Sequence, residues 1–146
     1  WKNNMLNIRH TGIVTSDIEK SIAFYENFGF KIQKDMLESG DYIDNFSALN
    51  NVIVRTVKMS LDNGDMIELL YYQSHPEKPD LDRKITQIGC SHIALTVSDL
   101  DRLYEQLSKN KVDFNSPPQY SPDGYAKVTF CKDPDGSLIE LVEVLK

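Results

Sequence analysis

Four side chains in this sequence could do metal chemistry together: His10, Glu68, His92 and Glu140. Two imidazoles and two carboxylates suit zinc, nickel, cobalt, manganese or ferrous iron far better than calcium or magnesium, which prefer all-oxygen shells. A lone histidine is more often a hydrogen-bonded core or surface residue than a ligand. A lone strand glutamate is as often merely exposed. What raises these four above that background is their placement, because the chain is written twice.

His10, Thr11, Gly12, Ile13, Val14, Thr15, Ser16, Asp17, Ile18, Glu19 and Lys20 run parallel to His92, Ile93, Ala94, Leu95, Thr96, Val97, Ser98, Asp99, Leu100, Asp101 and Arg102. A second echo follows in the same order. Asp62, Asn63, Gly64, Asp65, Met66, Ile67, Glu68 and Leu69 match Pro134, Asp135, Gly136, Ser137, Leu138, Ile139, Glu140 and Leu141. A repeat of this kind signals one supersecondary unit used twice. Each copy contributes one histidine and one glutamate at matching places.

The elements that must position them read alike in both halves. A short strand carries the histidine (about 7–14 and 90–97), and a helix follows. Ser16 and Ser98 are expected as N-caps, with Glu19 and Asp101 three residues on. The helices offer the stripes Ile18, Ile22, Tyr25 and Leu100, Leu103, Tyr104, Leu107. Three strands come next, near 30–37, 52–60 and 65–72 in one half and 112–119, 125–131 and 137–144 in the other. The last two of each half join through Asp62, Asn63, Gly64 or Asp133, Pro134, Asp135, Gly136 as hairpins. The expected fold is α+β, two tandem β-α-β-β-β modules whose curved mixed sheet makes a cup with the helices outside. The expected bounds are 5–73 and 89–146, with a linker at 74–88 carrying Pro76 and Pro79. Neither half alone buries much core, so the pair is expected to form one domain.

Strand alternation sorts the faces. Ile93, Leu95 and Val97 suit the helix side, leaving Cys90, His92, Ala94 and Thr96 opposite. Ile139 and Leu141 leave Leu138, Glu140 and Val142; Ile67 and Leu69 leave Met66, Glu68 and Leu70. His10 shares its face with Ile8, Gly12 and Val14. A carboxylate among aliphatics needs a partner, a shifted pKa or a metal.

Other features set limits. A net charge of -6 excludes nucleic acid and anionic membrane as natural partners. No apolar run approaches the roughly 18 residues of a membrane helix, no signal peptide is legible, and the cytoplasm is the expected location. Cys90 and Cys131 are expected to be reduced thiols. The first half has a surplus around Gly40 to Asn51, where Tyr42, Ile43, Phe46 and Leu49 could form a lid or a packing helix. Arg55 and Lys58 point to opposite faces of their strand, so at most one of them faces the cup. Tyr120, Tyr125 and Cys131 are candidate pocket residues, and His75 is expected to be solvated.

These residues resemble the vicinal oxygen chelate superfamily, which includes glyoxalase I, methylmalonyl-CoA epimerase, extradiol dioxygenases and fosfomycin-resistance enzymes. The likeness covers nearly the whole chain. It rests on His10 to Val14, Ser16 with Asp17, Phe24 with Tyr25, Met66 to Leu69, His92 to Leu95, and Asp133 to Gly136 leading to Ile139, Glu140 and Leu141. The resemblance implies one divalent ion (nickel, zinc, cobalt or manganese, with iron open) held by His10, Glu68, His92 and Glu140. It implies a small-molecule substrate with adjacent oxygens, and commonly a homodimer. The expected activity is proton transfer next to a carbonyl through a metal-stabilised enolate, as in an isomerase, epimerase or lyase. Glu140 is the first choice of base and Glu68 the second. Glyoxalase I matches this ligand set best, whereas epimerases carry Gln at the place of Glu68. Two other readings stay open: a small-ligand or antibiotic-binding protein without turnover, and an iron-dependent dioxygenase.

Overall fold

The structure is a computed structural model that describes residues 6–146; Met5, the expected start of the first module, lies outside them. The chain divides between Lys78 and Pro79 into two units. The first contains β1 (Thr11–Val14), α1 (Ile18–Glu26), β2 (Lys31–Ser39), α2 (Asp41–Ser47), β3 (Ile53–Ser60) and β4 (Met66–Tyr72). The second contains β5 (His92–Thr96), α3 (Leu100–Lys109), β6 (Gln119–Tyr120), β7 (Ala126–Lys132) and β8 (Leu138–Val144). Each unit is an α+β module built on one four-stranded mixed sheet, in the orders β1-β4-β3-β2 and β5-β8-β7-β6. The first and last strands of each module pair in parallel, and the remaining pairs are antiparallel. That parallel pairing sets the histidine strand beside the glutamate strand.

In the first module Ile18, Ile22 and Tyr25 of α1 are buried with Ile13, Val57, Met59, Ile67 and Leu69. In the second, Leu100 and Leu107 of α3 are buried with Cys131, Ile139 and Leu141. Each fully buried aliphatic side chain contributes roughly 2 kcal/mol. One face of each sheet is therefore committed to its helix.

Three local expectations need correction. The helix N-caps are Asp17 and Asp99, one residue later than Ser16 and Ser98. Their carboxylates accept from the backbone N–H of Lys20 and Arg102 at 3.2 and 3.1 Å. An ionised oxygen at a helix N-terminus is the stronger acceptor, because it also meets the positive end of the dipole. His10 stands just before its strand, since β1 begins at Thr11. The strand expected at 112–119 is reduced to Gln119–Tyr120 and a single bridge from Phe114 to Cys131. Pro117 and Pro118 lack the N–H groups that a ladder needs.

The surplus near residue 40 is a helix, α2. Its Ile43 packs with Val52 and Val54 and against Leu49, Leu70 and Tyr72. Tyr42 and Phe46 remain outside, edge to face at 5.1 Å. Arg55 is spent on structure. It donates to both carboxylate oxygens of Asp35, at 3.0 and 2.7 Å, and to Glu19 of α1 at 2.7 Å. The guanidinium holds the Asp35 carboxyl below its ordinary value of 3.8. Arg55→Gln should cost about 1 kcal/mol of unfolding free energy at neutral pH. A depressed carboxyl pKa stabilises above the unfolded value and ceases to as pH falls through the folded one. The gap between wild type and variant in urea midpoints should therefore shrink as pH drops below 3.8; a pH-independent gap would refute the assignment.

Candidate functional site

The register explains how two residues far apart in sequence meet. Gly12 of β1 lies opposite Glu68 of β4, and Ala94 of β5 lies opposite Glu140 of β8. His10 and His92 each precede that partner by two residues, so each shares the glutamate's side of its sheet. The two modules thus repeat the same registration, with Gly12 and Ala94 as the small residues that leave room beside each carboxylate.

The side chains meet accordingly. His10 Nε2 is 3.5 Å from Glu68 Oε1, and His92 Nε2 is 3.7 Å from Glu140 Oε1. Both distances are long for a hydrogen bond. Neighbouring ligands around an ion bound at about 2.1 Å stand about 3.0–3.6 Å apart for angles from right to trigonal; the first pair falls within that span and the second lies just beyond it. Side-chain exposure is 27% and 15% in the first pair and 32% and 25% in the second, so small molecules can reach all four. His10 Nδ1 is buried without a hydrogen-bond partner among the described residues. Ser91 Oγ lies 2.6 Å from His92 Nδ1. When that nitrogen donates, Nε2 keeps its lone pair for a ligand role. Among the described residues no three His, Cys, Asp or Glu side chains are gathered closely enough to hold an ion alone. Each pair offers two donors, and the donor chemistry fits a transition metal.

The glutamate faces carry what alternation predicts. Met66, Leu70 and Tyr72 flank Glu68 on β4, and Leu138 and Val142 flank Glu140 on β8. Lys58 of β3 stands opposite Glu68, whereas Phe130 of β7 stands opposite Glu140. The Phe130 ring also meets the His92 ring edge to face, with centroids 5.0 Å apart. Of the two basic residues on β3, Lys58 therefore faces the site side, and Arg55 faces the helix. Ser91 and Phe130 were missed in the sequence. Phe130 was recoverable by counting back across the hairpin from Glu140.

The three proposed pocket residues lie elsewhere. Cys131 pairs with Ile139 on the helix side and is fully buried. Burial, then the charge of Asp133, pushes its thiol up to about 12, so it is no nucleophile at neutral pH. Tyr120 pairs with Lys127, whose ammonium lies over its ring and binds Asp101 at 2.7 Å. Tyr125 sits one residue before β7, with the Lys146 ammonium over its ring. Alternation assigns each of them to the face opposite Phe130. His75 is held by Ser74 Oγ at 2.8 Å from its Nδ1. Among the described residues no helix is long and apolar enough to cross a membrane.

A family model described as the Glyoxalase/Bleomycin resistance protein/Dioxygenase superfamily matches residues 7–141. The uncharacterized protein YwkD of Bacillus subtilis (strain 168) is 30% identical over 139 residues, which cover 93% of this chain and 95% of that protein. A glyoxalase family protein from Bacillus cereus superposes with a TM-score of 0.90 at 23% identity, over 99% of this chain and 98% of that one. The trypanothione-dependent glyoxalase I of Leishmania major superposes at 0.66 with 25% identity, over 95% and 87%.

Proposed function

Because the chain belongs to the Glyoxalase/Bleomycin resistance protein/Dioxygenase superfamily, we propose that it is a divalent-metal-dependent, glyoxalase-like enzyme that moves a proton next to a carbonyl. The observation that carries this reading is the duplicated His–Glu pair, 3.5 Å apart in one module and 3.7 Å in the other at identical registration. His10, Glu68, His92 and Glu140 would hold the ion. Bound there, it would supply positive charge where a substrate oxygen turns negative as the neighbouring carbon loses its proton.

The chain's own groups do the rest. Glu140 accepts the proton at a carboxylate oxygen. It stands opposite Ala94 and Phe130, neither of which offers a side-chain hydrogen-bond donor. Glu68, the second carboxylate, can return a proton, which suits an isomerase, epimerase or lyase. The Ser91 contact orients His92, and Phe130 limits its rotation and keeps water from one side. The substrate is a small molecule with adjacent oxygens. The Leishmania glyoxalase I likeness supports chemistry of this class.

Elemental analysis of gently purified protein tests the reading. Near-stoichiometric nickel, zinc, cobalt or manganese is expected, and it should be lost in His92→Ala and Glu140→Ala. Iron in its place would move the reaction to an oxygenase. Protein that stays metal-free after reconstitution would overturn the enzyme reading in favour of ligand sequestration.

A further inference from the structure

The two glutamates sit in chemically different surroundings. Across the antiparallel ladder, Glu68 faces Lys58, and Lys58 in turn faces Lys34 of β2. Directly opposite side chains on one sheet face have Cβ atoms about 5 Å apart, so two lysines placed this way repel each other. Neither ammonium has an ion-pair partner among the described residues. The two form a cationic row on the sheet face that carries His10 and Glu68.

A second feature of β2 builds the row. Its ladder with β3 shifts register between Ile32 and Lys34, which is a β-bulge. A bulge inserts one residue and reverses the facing of everything beyond it. Without it, Lys34 would join Val57 on the helix side and Asp35 would turn away from Arg55. With it, Asp35 meets Arg55 and Lys34 joins Lys58 on the face of His10 and Glu68. The second module has no counterpart. Its residue opposite the glutamate is Phe130, and the lysine on that face, Lys132, donates to the Leu81 carbonyl at 2.9 Å.

We infer that Lys58, with Lys34 beside it, forms an anion-binding flank next to Glu68, and that the substrate carries a carboxylate or phosphoryl group besides its adjacent oxygens. The inference rests on the metal-dependent reading. Glu68 is the carboxylate nearest Lys58 in register; once it is engaged as a ligand, the ammonium is left for an incoming anion. Half-buried Lys58 gives the larger part of the attraction, and exposed Lys34 the smaller.

A matched set of bidentate oxygen chelators tests this on zinc-reconstituted protein: 4-methylcatechol, 3,4-dihydroxybenzoate and 3,4-dihydroxyphenylphosphonate, with dissociation constants from calorimetry. At least one anionic chelator should bind roughly tenfold more tightly than 4-methylcatechol, and the better of the two identifies the group. Lys58→Gln should remove most of that advantage, weakening the anionic chelators more than 4-methylcatechol. Lys58→Arg should keep it, Lys34→Gln should reduce it, and Lys132→Gln should leave it intact. Added salt should also erode it. Equal binding of all three by metal-loaded wild type, or an advantage that survives Lys58→Gln, overturns the inference and leaves the metal reading standing. Failure to take up zinc, nickel, cobalt or manganese overturns both.

Discussion

Glu140→Gln is expected to keep the fold and bound metal but lower turnover by about 10²–10⁴-fold, the usual contribution of a positioned general base. Gln matches Glu in size and keeps an oxygen that can ligate, yet its amide cannot take a proton. Glu68→Gln should cost less, since Glu68 is the second choice of base. The measurement is solvent deuterium incorporation at the carbon beside the carbonyl, followed by NMR over small substrates with adjacent oxygens. Full turnover by metal-loaded Glu140→Gln would remove Glu140 from the reaction.

The second large effect lies in the turn that leads to Glu140. Asp133 to Ser137 closes the β7–β8 hairpin through Asp133 N–H donating to the Ser137 carbonyl at 2.9 Å. Gly136 sits there at φ 88°. A Cβ on Gly136 would come within 2.5 Å of the Asp80 carbonyl oxygen and 3.1 Å of Leu81 Cα. Both are backbone atoms, so no side chain can swing aside. Gly136→Ala should cost about 2–4 kcal/mol, the sum of left-handed strain and a backbone clash. Gly64 is its repeat partner, at φ 96° with nothing within 4 Å of an added Cβ. Gly64→Ala should cost only about 1 kcal/mol. Urea unfolding of both variants separates the terms. Equal penalties would mean that the approach of residues 80 and 81 carries no weight.

The two turns show where the sequence was informative and where it was not. Both were legible as hairpins, because glycine after Asn or Asp marks a positive φ whatever surrounds it. That Gly136 alone is pressed by backbone was invisible, because the segment pressing on it is distant in sequence. The helix stripes, the alternation around Glu68 and Glu140, and the repeat were likewise readable. The N-caps were misread by one residue, since Ser16–Asp17 and Ser98–Asp99 each offer two good caps in a row. The caps fall on the Asp of each pair, whose ionised oxygen also meets the positive end of the helix dipole. The strand expected at 112–119 is cut short because Pro117 and Pro118 have no N–H to give a ladder.

By itself the sequence determined the duplicated α+β plan and the four candidate ligands, because periodicity, turn chemistry and repetition are local properties of the chain. The tertiary structure decided the registration that sets Gly12 against Glu68 and Ala94 against Glu140. It also decided the bulge that turns Lys34 to the site face, and the placement of Lys58 beside one glutamate and Phe130 beside the other. Those are relations between strands. A one-residue shift in pairing reverses every side chain, and which shift prevails depends on how whole faces pack.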